Sequence, residues 1–122
     1  MQISEIKIPA AGEWPRDCEL KSISLNKGLL LNYHRESDDS NWNLKFEIIP
    51  AYKVIGEEFS RSGYLSELPI NGSFFEILDS PWIKELRVND HHSTKNCKHY
   101  VFQFYDETIE VLAGRFSFEQ TK

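Results

Sequence analysis

The stretch that decides the fold is Tyr100-Val101-Phe102-Gln103-Phe104-Tyr105-Asp106-Glu107-Thr108-Ile109-Glu110-Val111-Leu112-Ala113. Two runs rich in aromatic and β-branched residues flank a short acidic break, the pattern of a β-hairpin. In the first run Tyr100, Phe102 and Phe104 share one face, while His99, Val101, Gln103 and Tyr105 share the other. In the return run Ile109, Val111 and Ala113 alternate with Glu110 and Leu112. Apolar groups on both faces predict a central place in a sheet. Immediately before the hairpin lies His91-His92-Ser93-Thr94-Lys95-Asn96-Cys97-Lys98-His99, which holds three of the four histidines and one of the two cysteines.

Moving outward, Ser80-Pro81 is the best helix start in the chain. Serine is a favoured N-cap, and proline at the first helical position gives up an N–H that has no intrahelical partner anyway. Trp82, Ile83 and Leu86 form a narrow apolar stripe, so a short helix near 81–89 is expected to dock on the sheet. Trp42-Asn43-Leu44-Lys45-Phe46-Glu47-Ile48 is the cleanest period-two pattern, the signature of an antiparallel sheet with one wet face. Residues 20–34 read as a second hairpin turning at Asn26-Lys27-Gly28, where glycine takes positive φ freely and asparagine tolerates it.

Ile3 to Ile8 reads as an edge strand stopped by Pro9, and Trp14 as a lid over one end of the core. Ala51 to Ile55 resumes after a bend at Pro50, residues 56–70 form a long excursion, and Phe74 to Leu78 and Phe116 to Phe118 add two strands. About eight strands and one helix give a mainly β domain, an antiparallel sandwich or half-open barrel spanning residues 1–122 as a single domain.

Composition bounds the function. The 122 residues carry 40% hydrophobic and 27% charged side chains, enough for one core and a wet surface. Fourteen Lys and Arg against nineteen Asp and Glu give a net charge of −5, with ten acids in residues 1–60 and nine after them. No basic cluster is present to neutralise phosphates, so nucleic acid is not an expected partner. A modest acidic balance suits a partner with a basic surface. Cys18 and Cys97 lie far apart and are expected as free thiols. No apolar run approaches ~18 residues, so no membrane span is expected, and a cytoplasmic protein is the default.

Candidate chemistry centres on His91, His92, Cys97 and His99, because zinc takes imidazole and thiolate tetrahedrally and Cys97 and His99 are two apart. Against this, the loop has no CxxC or HExxH spacing, and its Ser, Thr, Asn and Lys need no metal to be stable. Cys97 as a nucleophile with a histidine base lacks the rest of a catalytic motif. Glu110 is notable as an acid among apolar neighbours, to be explained by a cross-strand pair with Lys98 or Arg115. An enzyme is the least expected class.

Ser80-Pro81-Trp82-Ile83-Lys84-Glu85-Leu86, followed by His99-Tyr100 and the run from Tyr105 to Ala113, resembles the C-terminal half of small bacterial single-domain proteins of unknown function. The chain is also similar in size and charge to immunity proteins, which neutralise bacterial toxins by binding. The resemblance implies a non-enzymatic protein-binding domain, inhibitor-like or immunity-like. The alternative is a small-ligand or metal-binding β domain using the 91–99 loop. In either case the protein is expected as a monomer or an edge-paired homodimer, with residues 3–8 as the pairing edge.

Overall fold

The computed structural model describes residues 2–59, 63–69, 71–89 and 96–122. Nine strands form two antiparallel sheets packed face to face: β1 (Ile3–Glu5), β2 (Cys18–Leu25), β3 (Leu29–Arg35), β4 (Ser40–Phe46), β5 (Ala51–Gly56), β6 (Phe74–Ile77), β7 (Lys98–Gln103), β8 (Glu107–Ala113) and β9 (Phe116–Thr121). One sheet has the order β1-β6-β7-β8-β5 and the other β2-β3-β4-β9. The strands form two separate packed sheets, the sandwich arrangement, and do not close into a barrel. A single helix, α1 (Pro81–Asn89), and two 3-10 turns, Glu57–Phe59 and Gly63–Glu67, complete the described elements.

The hairpin formed by β7 and β8 is central in its sheet, as its two apolar faces require. On the inner face Tyr100, Phe102, Ile109 and Val111 meet Leu31, Tyr33, Leu44 and Phe46 of the second sheet. Phe102 sits at the middle of this core, its ring 4.9 Å from Phe74, 5.6 Å from Phe46 and 5.8 Å from Phe116. The outer face carries a second, smaller core of Phe75, Ile77 and Val101 with Leu65 and Leu68. Thus one sheet is covered on both sides, and the other has one face in water.

The period-two stretch becomes β4, with Trp42, Leu44 and Phe46 buried. The chain then changes sheets across Pro50, and β5 pairs with β8. It changes sheets again at Gly114-Arg115, so that β9 pairs with β4. At the β2–β3 turn Lys27 and Gly28 both have positive φ, 59° and 143°. A Cβ on Gly28 would lie 2.2 Å from the Phe46 carbonyl oxygen, which explains glycine there by space as well as by φ.

Asp17 fastens the segment before β2. Fully buried, it accepts hydrogen bonds from the Glu13 N–H at 2.9 Å, the Ser37 N–H at 2.7 Å and the Ser37 hydroxyl at 2.6 Å. Asp17→Ala leaves these donors without an acceptor and is expected to cost roughly 2–3 kcal/mol. Urea unfolding of the two proteins measures it, and a cost within error of zero would mean that the clamp does not hold these loops.

Candidate functional site

The residues singled out from the histidine loop have separate fates. His91 and His92 lie outside the described residues. Cys97 is half-buried, and burial raises its thiol pKa, offset in part by Arg87. His99 is completely buried on the outer face of β7. Among the described residues no three His, Cys, Asp or Glu side chains come together to hold a metal.

Both ring nitrogens of His99 are engaged. Nδ1 lies 2.7 Å from Ser80 Oγ, and Nε2 lies 2.6 Å from Glu110 Oε1. Ser80 Oγ accepts the Ile83 N–H at 3.1 Å as the N-cap of α1, so its own proton is directed at Nδ1. With Glu110 as the carboxylate, Nε2 carries the imidazole proton and donates it to Oε1. The Tyr64 hydroxyl donates to the same oxygen. Burial, followed by the bond to Glu110, pushes the Tyr64 pKa well above its ordinary value, which keeps that hydroxyl a donor. The Tyr64 and Trp82 rings stand edge-on to the imidazole at 5.7 and 5.3 Å.

The sheet register accounts for this meeting. Glu110 lies opposite Val101 on β7 and Lys53 on β5, and His99 is its diagonal neighbour on the same face. The expected partners Lys98 and Arg115 are not the ones used. Lys98 alternates to the other face of β7, and Arg115 lies beyond the end of β8. Lys53 instead places its ammonium 4.1 Å from the centre of the Trp82 ring.

Ser80, His99 and Glu110 follow the order of a nucleophile relay, but the arrangement is closed. Ser80 is 4% exposed and Glu110 1%, and the serine oxygen already accepts a backbone N–H. An electrophile has no approach to it, and a zinc ion at His99 would have to displace Ser80 or Glu110. The network fastens the first turn of α1 to the centre of the sheet. No family model, curated protein or solved structure matches the chain.

One end of the sandwich gathers several turns rich in acids. The β7–β8 turn is tied to the start of β2 by the Tyr105 N–H donating to the Cys18 carbonyl at 2.7 Å. The β3–β4 turn joins through the Glu36 N–H to Asp17, and β5 ends opposite Glu107. This gathers Glu13, Glu19, Glu36, Asp38, Asp39, Glu57, Glu58, Asp106 and Glu107 at one pole. Among the described residues three bases there are tied to acids: Arg16 to Glu57 at 2.9 Å, Lys21 to Glu19 at 2.8 Å and Arg35 to Asp38 at 2.6 Å. Burial and then Asp106 and Glu19 raise the pKa of Glu107.

Two aromatic rings sit at the same pole, Trp14 and Tyr105, each 47% exposed. Trp14 is therefore not the lid expected from the sequence. The Arg16 guanidinium lies 4.3 Å from the Tyr105 ring centre and donates to the Tyr105 carbonyl at 3.2 Å. At the opposite ends of these strands stand Lys27, Lys98 and Arg115 beside Glu47 and Asp79. Charges that alternate along the chain thus separate in space, because up-and-down strands deliver successive turns to opposite ends.

Proposed function

We propose that this protein is a non-enzymatic binding domain that recognises a basic protein surface through its acidic pole, in the manner of an inhibitor or immunity protein. The supporting observation is the concentration of carboxylates around two half-exposed aromatic rings. Like charges held together oppose folding, and at Glu107 they add to the larger effect of burial, both raising its pKa. An acid whose pKa is raised on folding withdraws stability as pH climbs from its unfolded value through its folded one. A cluster with that cost gains its use from a partner of opposite charge, whose approach the field accelerates. Exposed Trp and Tyr supply rigid apolar contact area of the kind that anchors protein interfaces.

The test compares the native protein with Asp106→Lys/Glu107→Lys, the first in the exposed β7–β8 turn and the second the half-buried first residue of β8, with the variant's fold checked by circular dichroism. Each is used to retain proteins from lysate of the source cell at low and high salt, and association with the retained partner is then timed. The native chain is expected to hold a basic protein at low salt only, and the variant to associate about tenfold more slowly or worse. Equal binding by both proteins, or no basic partner for the native chain, would overturn the proposal.

A further inference from the structure

The four open edges of the two sheets differ in how they are guarded. β1 has only three residues. β2 is interrupted by a bulge between Leu20 and Ser22 and carries Lys21. β5 is entered from Pro50 and carries Lys53. Short length, bulges, proline and lysine are the usual means of keeping a sheet edge from pairing with another chain. β9 has no bulge, proline or lysine, and its one charge is Glu119. Its six residues, Phe-Ser-Phe-Glu-Gln-Thr, run in unbroken register with β4 from Phe116 to Thr121. Phe118 is 40% exposed beside this edge.

We infer that β9 is the pairing edge for a second copy of this chain, joining the two β4–β9 sheets into one continuous antiparallel sheet across a twofold axis. The sequence of the edge selects the register. Pairing that keeps water-facing residues together must be centred on a residue, because the side chains alternate. Centred on Ser117, it pairs residues 116–118 of the two strands, with Phe116 opposite Phe118, and brings Arg115, just before each strand, to Glu119 of the other copy. Centred on Phe118, it sets Arg115 opposite Thr121. Centred on Glu119, it sets the two glutamates against each other. Only the Ser117 register pairs opposite charges twice and covers both exposed Phe118 rings. Neither Arg115 nor Glu119 has an ion pair within its own chain among the described residues, so both are available for it. The antiparallel arrangement leaves the two acidic poles facing away from each other, and the dimer does not depend on what the poles bind.

Sedimentation velocity over a range of protein concentrations tests this. The native chain is expected to show a monomer–dimer equilibrium. Arg115→Glu and Glu119→Arg each place like charges together twice and are expected to weaken dimerisation about tenfold. The combined variant restores both pairs with the signs exchanged and is expected to recover the native equilibrium. Phe118→Lys, whose fold is checked by circular dichroism, is expected to be monomeric throughout. A native chain that stays monomeric, a dimer indifferent to either single change, or a combined variant no better than the singles would overturn the inference.

Discussion

His99→Ala is expected to cost about 3–5 kcal/mol, because it leaves the Glu110 carboxylate buried with only the Tyr64 hydroxyl as a described partner. The same change strips the acceptor from the Ser80 hydroxyl and loosens the cap of α1. Glu110→Ala should be of similar size. The informative variant replaces both members by leucine. A buried ion or hydrogen-bonded pair exchanged for apolar groups of comparable volume is often neutral, since both desolvation costs vanish together. His99→Leu/Glu110→Leu is therefore expected to be clearly more stable than either single alanine variant. Chemical unfolding followed by tryptophan fluorescence reads all three. A double variant no more stable than either alanine variant would mean that the cost does not come from leaving one partner unpaired, contrary to the 2.6 Å contact between them.

Phe102→Ala is expected to be comparably damaging, at roughly 3–5 kcal/mol, but for a different reason. Phe102 is fully buried and touches rings from both sheets, so truncation opens a cavity at the place where the two layers interlock. Phe102→Leu keeps most of the volume and should cost less than half as much. Thermal unfolding of the two variants separates these cases, and equal losses would mean that ring geometry, rather than filled volume, is what the site requires.

The strands were legible in the sequence because their signal is local. Alternation at 42–46 and 100–104 marks which side chains go inward whatever the sheet's final neighbours. The α1 start at Ser80-Pro81 was equally legible, since capping is settled within one turn, and the Ile83 N–H does donate to Ser80 Oγ. The double apolar character of β7 and β8 correctly placed them at a sheet centre. What the pattern could not say is that the chain changes sheets at Pro50 and at Gly114-Arg115, because a bend has no partner written into it.

The same limit applied to chemistry. His99 and Glu110 each stood out in the sequence, one as a metal ligand and the other as an acid in an apolar strand, but eleven positions separate them. Only the register of β7 on β8 makes them diagonal neighbours, and only the return of α1 over that face adds Ser80. The acidic pole was invisible for a related reason: the acids are spread evenly along the chain, and their gathering depends on which turns share an end of the sandwich.

By itself the sequence determined a mainly β protein with a central aromatic hairpin, a capped short helix and an acidic charge balance, all consequences of local periodicity, capping and composition. The tertiary structure alone decided that His99 is an interior fastening instead of an open ligand, that the acids gather at one end, and that β9 is an edge strand. Those three follow from pairing between distant segments, where the contact energy belongs to neither segment alone.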